Sequence, residues 1–160
     1  NVRHAMVEGY ERAAQLPSAG FAAGPCLLKD TMQISSFYQG GFHLGHSAMM
    51  INEGLPNFIV NQLKSKYSLS NRKVGILGMA FKANVDDVRD SLSFRLSKIL
   101  KFSGAEVICS DEFAENPEFV SKEEIIAKCE TVIIAAPHSI YSEIQYPDHI
   151  DLIDIWKISQ

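Results

Sequence analysis

A cysteine, a lysine and an aspartate stand close together in Gly24-Pro25-Cys26-Leu27-Leu28-Lys29-Asp30. The Gly-Pro pair reads as the end of a loop and the residues after it as a helix. Cys26 then falls at a helix N-terminus, where the helix dipole and Lys29, three positions on, both favour the thiolate. Asp30, four positions on, shares that face and is placed to move a proton or orient a water. The glycine lets backbone approach a ligand closely. This pattern suits a nucleophilic cysteine; the plain alternative is an inert core thiol, the state of most free cysteines. Cys109, inside a strand-like run, and Cys129, at the end of a helical one, fit that alternative.

A second set of polar residues lies in Met79-Ala80-Phe81-Lys82-Ala83-Asn84-Val85-Asp86-Asp87-Val88-Arg89-Asp90-Ser91, a long connection between a strand and a helix. Lys82 and Arg89, two cations ahead of a helix start, suit a diphosphate. They equally suit ion pairs with Asp86, Asp87 and Asp90 on a solvated surface. Gly75-Ile76-Leu77-Gly78 is half a dinucleotide fingerprint without the third glycine, which disfavours a dinucleotide site here. Asp111 ends a strand and reads as a turn or N-cap residue. His138, after another strand, could touch a ligand or cap the next turn. His43 and His46 share a helical face but have no third ligand near them in sequence, so a metal site is not expected. Trp156 reads as core or interface.

The elements that must position these residues change character near residue 72. Up to about residue 66 the apolar spacing is helical. Val2, Met6, Tyr10 and Ala13 mark one face, a loop runs from Leu16 to Pro25, and Cys26 to Tyr38 is helical. After a break at Gly40-Gly41, a long helix spans roughly Leu44 to Lys66, with Gly54 and Pro56 expected to kink or interrupt it. Ser68 to Arg72 reads as a polar linker. Short strand-like runs follow at Lys73 to Gly78, Glu106 to Asp111, Thr131 to Ala136 and Asp151 to Trp156. Helical patterns at Ser91 to Phe102 and Ser121 to Cys129, and a turn at Ile140 to Ile144, separate them. Strands alternating with helices predict an α/β chain with a parallel, doubly wound sheet.

Composition narrows the partners. The 160 residues carry 15 Lys+Arg against 19 Asp+Glu, a net charge of −4, with 46% hydrophobic residues, so an ordinary globule is expected. No basic cluster suggests nucleic acid, and no apolar run suggests a membrane. Three widely spaced cysteines read as reduced thiols in the cytoplasm. The opening Asn1-Val2-Arg3, already within a helical pattern, reads as part of a longer polypeptide.

Gly24 to Asp30, followed by Gly75-Ile76-Leu77-Gly78-Met79-Ala80-Phe81-Lys82 and Asp86-Asp87-Val88-Arg89-Asp90-Ser91, resemble the UDP-glucose/GDP-mannose dehydrogenase family. Both motifs stand in the family's order and at about its spacing. The resemblance implies that residues 1–70 are the end of a central helical, dimerising region with the catalytic cysteine loop. Residues 71–160 would be a C-terminal Rossmann-like domain that binds the UDP-sugar. It implies oxidation of the C6 alcohol of a nucleotide sugar to a carboxylate with two NAD, through a Cys-bound thiohemiacetal and thioester.

On that resemblance Cys26 is the nucleophile and Asp30 its proton or water partner. Leu16, Phe21, Gly24, Phe81 and Lys82 contact the substrate, and Lys29 and Arg89 reach the NAD. A homodimer through the central helix is implied. The family's dinucleotide-binding domain and its oxyanion lysine and asparagine have no counterpart in these residues, so the chain alone is expected to be inactive. The departures are Ala23 where many members have a first glycine, and Trp156-Lys157 where an arginine often stands. An arginine donated across the dimer has no match beyond Arg3 or Arg12. Two other readings are a non-catalytic module that binds a nucleotide sugar and dimerises, and a thiol hydrolase or redox sensor built on Cys26.

Overall fold

A computed structural model of the chain describes every residue except Asn1, Gln15, Pro17, Gly40 and Gln160. Pro17 of the predicted loop and the first glycine of the Gly40-Gly41 break thus lie outside the described residues. The helical part comprises α1 (Val2–Val7), a 3-10 turn at Glu11–Ala13, α2 (Leu27–Phe37) and α3 (His43–Lys66). The sheet part comprises β1 (Lys73–Leu77), α4 (Leu92–Phe102), β2 (Glu106–Ser110), α5 (Lys122–Lys128), β3 (Thr131–Ile134), a 3-10 turn at Ser139–Glu143 and β4 (Asp151–Asp154).

Three expectations about the helical part are corrected. The stripe Val2, Met6, Tyr10, Ala13 does not make one helix, because α1 stops at Val7 and Val2, Met6 and Tyr10 stay exposed. Periodic spacing with nothing to pack on does not sustain a helix. Pro56 does not interrupt α3, which runs as one helix of 24 residues with Pro56 buried inside it. Packing there outweighs the hydrogen bond that proline cannot donate. The stretch from Ser68 to Arg72 is no free linker. Leu69 is buried in the core, and the flanking Tyr67 hydroxyl donates to Asp151 Oδ2 at 2.7 Å. Arg72 lies 3.7 Å over the Tyr67 ring and donates to Thr131 Oγ1 at 2.8 Å, tying the end of α3 to the sheet.

The four strands are all parallel, in the order β2-β1-β3-β4. Val74, Ile76 and Ile133 face α4 and the C-terminal half of α3, within a core that includes Val60, Leu63, Leu96 and Leu100. Leu77, Val132 and Ile134 alternate to the other face, against Ile125, Cys129 and Tyr141. Ser91 and Ser121 cap α4 and α5, each hydroxyl accepting a backbone N–H of the first turn. The strand order reverses between β1 and β3. In an open α/β sheet the crevice beyond the carboxyl ends of two such strands is where ligands bind, and here it is bordered by residues 78–91 and 135–138. Among the described residues no helix is long and apolar enough to cross a membrane.

Candidate functional site

Cys26 is the N-cap residue of α2, with an exposed thiol, and its carbonyl accepts the Asp30 N–H at 2.8 Å. The loop ahead of it is fastened at four points. Gly20 rests against the indole of Trp156, where a Cβ would run into the ring. Trp156 in turn donates from Nε1 to the Ala135 carbonyl at 2.9 Å. The Phe21 ring is buried in the core. Asn52 of α3 holds Ala22 from both sides: Oδ1 accepts its N–H at 2.9 Å and Nδ2 donates to its carbonyl at 2.6 Å. Gly24 has φ +125°, and a Cβ there would meet the Phe81 ring at 3.1 Å, so only glycine suits both the backbone and the contact.

The contact between Gly24 and Phe81 joins the two motifs. The Phe81 N–H donates to the Asp87 carbonyl at 3.0 Å, and Ser91 Oγ donates to the Ala80 carbonyl at 3.3 Å, so residues 80–91 close on themselves. Lys82 is exposed and has no carboxylate within 4.0 Å among the described residues. Arg89 takes the other course, with Nη2 and Nε reaching the Asp87 carboxylate at 2.6 and 3.0 Å. That pair lowers the Asp87 carboxyl. It also raises the guanidinium above its ordinary value, with the charge of a Cys26 thiolate adding to the effect. Arg89 thus lies within electrostatic reach of Cys26 while remaining mostly open to solvent.

Lys29 and Asp30 are both exposed and pair with each other at 3.3 Å. Leu16 is half-buried, and its carbonyl accepts Arg3 Nε at 2.8 Å, so Arg3 braces the start of the loop. Phe21 is buried, and its ring holds the loop to the core. A cleft of about 350 Å³ adjoins the loop, bordered by Ala23, Gly24, Leu27, Glu53, Ser91 and Arg95. Arg95 bridges to Glu53 at 2.6 Å across it.

His138 is the N-cap residue of the following turn, where its carbonyl accepts the Tyr141 N–H at 3.1 Å. It makes no side-chain cap to the following turn, and its side chain is fully buried against that of Asp111, also fully buried. Asp111 is a turn residue, as expected, but its carboxylate gathers four backbone N–H groups besides His138. Burial pushes its carboxyl up, yet the bonds from His138, Ala114, Phe113 and Ala80 outweigh this and hold it well below the usual carboxylate range.

Burial raises the Cys109 thiol, and pushes the Cys129 thiol up to about 11. A thiol-reactive disulfide at mildly alkaline pH is therefore expected to modify the exposed thiol of the native protein quickly, the half-buried Cys109 more slowly and the buried Cys129 only after unfolding. Cys26→Ser should abolish the fast phase; a fast phase that survives would show that Cys26 is not the accessible thiol.

Asn52 and the Gly20–Trp156 contact carry no signal along the chain. An asparagine within a helix and a tryptophan after a strand gain these roles only from residues far away in sequence.

The family profile described as UDP-glucose/GDP-mannose dehydrogenase family, UDP binding domain, matches residues 75–157. The chain is 33% identical over 94 residues to a UDP-glucose 6-dehydrogenase of Haloferax volcanii, covering 57% of this chain and 22% of that protein. It is 30% identical over 106 residues to a UDP-N-acetyl-D-mannosamine dehydrogenase of Methanocaldococcus jannaschii, covering 64% of this chain and 24% of that one. The fold matches a UDP-glucose dehydrogenase from Pyrobaculum islandicum with a TM-score of 0.83 at 26% identity, over 98% of this chain and 40% of that chain. The chain thus spans about a quarter of the length of these curated relatives.

Proposed function

Because this chain belongs to the UDP-glucose/GDP-mannose dehydrogenase family and carries its UDP-binding domain, we propose that it is the part of a nucleotide-sugar 6-dehydrogenase that holds the substrate's nucleotide and supplies the nucleophile. The observation that carries this reading is the seating of Gly24, two residues before Cys26, beneath the Phe81 ring, next to Lys82. The cysteine loop and the strand-end loop form one site, with Arg89 on its rim.

In this reading the nucleotide lies beyond β1, with its base or ribose on Phe81 and its diphosphate at Lys82. The C6 carbon of the sugar comes to the Cys26 sulfur. NAD, used twice, supplies the hydride acceptor; the exposed Lys29 and Arg89 suit its diphosphate, since both lie at the nucleophile's edge of the site. The C6 alcohol gives up a first hydride to become the aldehyde, and the Cys26 thiolate adds to it to form the C–S bond of a thiohemiacetal. Loss of a second hydride from C6 makes this a thioester. Water attack at the carbonyl carbon then breaks the C–S bond and returns the thiolate. Asp30 accepts the proton of that water once Lys29, its partner at 3.3 Å, engages a cofactor instead. The one sheet among the described residues is assigned to the substrate, so these 160 residues by themselves should bind nucleotide without turnover.

A homodimer through α3 belongs to the same proposal. Leu44, Ile51 and Phe58 recur at sevenfold spacing on α3 and are all exposed, an apolar seam suited to a second copy.

Calorimetric titration with UDP, several UDP-sugars, GDP-mannose and NAD tests the nucleotide site. Heat of binding is expected for one nucleoside diphosphate series and not for NAD. Absence of binding to every nucleoside diphosphate at millimolar ligand would overturn the assignment of residues 79–91.

A further inference from the structure

Two fully buried ionisable side chains, Asp111 and His138, take no part in the chemistry proposed above, and both bind the backbone of the loop that carries Phe81 and Lys82. Asp111 Oδ2 accepts the N–H of Met79 at 2.6 Å and of Ala80 at 2.9 Å, just before Phe81. His138 Nδ1 accepts the N–H of Asn84 at 2.8 Å, just after Ala83. A backbone N–H can only donate, so Nδ1 carries no proton. Nε2 is then the protonated nitrogen, and it donates to Asp111 Oδ2 at 3.2 Å.

Other contacts keep this arrangement in place. The imidazole is flanked by Phe113, with ring centroids 4.7 Å apart, and by Tyr141, edge-on at 5.3 Å. Asn84 sits at φ +55°, a conformation asparagine tolerates, and its Oδ1 accepts the Ser139 N–H at 3.0 Å. The turn that follows β3 is therefore hydrogen-bonded to the loop that follows β1 across the switch point of the sheet.

We infer that Asp111 and His138 form a buried positioning pair, which grips the loop on both sides of Phe81-Lys82 and sets the geometry in which these two residues meet the nucleotide. The inference rests on the reading of Lys82 as a nucleotide contact. It adds that the affinity of the site depends on the bond from Asn84 to His138, two residues that the proposed ligand contacts do not include. Neither residue is catalytic; each acts through the loop.

Two substitutions separate the two bonds. His138→Gln can still donate to Asp111 but loses the acceptor for Asn84, whereas His138→Asn keeps an acceptor near Nδ1 and loses the donor to Asp111. The Kd for UDP is expected to rise about tenfold or more in His138→Gln and to stay within about threefold of the parent in His138→Asn. A His138→Gln protein that binds UDP as the parent does would overturn the inference. So would equal weakening in both variants, which a merely structural role would produce. Hydrogen exchange at the Asn84 amide of the unmutated protein gives a reading that needs no variant. Saturating UDP should slow it, and an unchanged rate overturns the inference.

Lys82→Ala keeps the two claims apart. If that variant binds UDP like the parent, the nucleotide reading fails and the pair has nothing to position. If Lys82→Ala weakens binding and His138→Gln does not, only the inference fails.

Discussion

Cys26→Ser, in a polypeptide that carries these residues together with a dinucleotide-binding domain, is expected to lower carboxylate formation from a UDP-sugar by about a thousandfold or more. A serine hydroxyl stays protonated near neutral pH and is a far weaker nucleophile than a thiolate, so the covalent step loses its attacking group. The geometry predicts that little else should change. Cys26 is exposed at the start of α2, and no side-chain hydrogen bond caps the helix there. The residues that shape the loop, Asn52, Trp156 and Phe81, contact its neighbours. Thermal stability and UDP affinity should both hold. The measurement is steady-state NADH formation beside a UDP titration; turnover at the parent's rate would remove Cys26 from the nucleophile's role. The same experiment bears on the reading of the chain as a non-catalytic module, which predicts no turnover with either residue.

Lys82→Ala is expected to raise the Kd for the nucleotide sugar, and with it the KM, by about ten- to a hundredfold, the range for loss of a charge-assisted hydrogen bond to phosphate. The rate at saturating substrate should change far less, because the contact is made equally before and during reaction. Lys82 suits this test because its ammonium has no carboxylate partner within 4.0 Å among the described residues, so removing it breaks no ion pair there. Arg89 offers a contrast. It is already held by Asp87, and its removal would also free a carboxylate beside the site. The lysine's contribution should weaken with added salt, since the group is solvent-exposed. An unchanged KM in Lys82→Ala would take Lys82 out of the site.

Much of the fold follows from local pattern. Short apolar runs such as Val74 to Leu77 and Val132 to Ile134 signal strands, and the helical patterns that begin at Ser91 and Ser121 become α4 and α5. These signals lie within a few residues of one another, so they survive without knowledge of the fold. Local pattern also supplied wrong expectations where packing decided the outcome. Pro56 is absorbed into a long helix because its face is buried, and the stripe through Val2 and Met6 breaks because its face is not. Phe21, placed at the substrate by the family resemblance alone, has its side chain in the core, where it anchors the loop.

By itself the sequence determined the parallel α/β class, the placement of Cys26 at a helix start and the two motifs whose pairing marks the family. These depend on the order and spacing of residues along one stretch of chain. Only the tertiary structure decided that Gly24 lies under Phe81, that Asn52 holds Ala22, that Trp156 backs Gly20 and that His138 with Asp111 braces the loop of Lys82. Each of these is a contact between residues from separate elements. A polar side chain beside a turn looks the same in sequence whether it will face water or be buried. Which of the two it becomes depends on what the sheet order brings next to it.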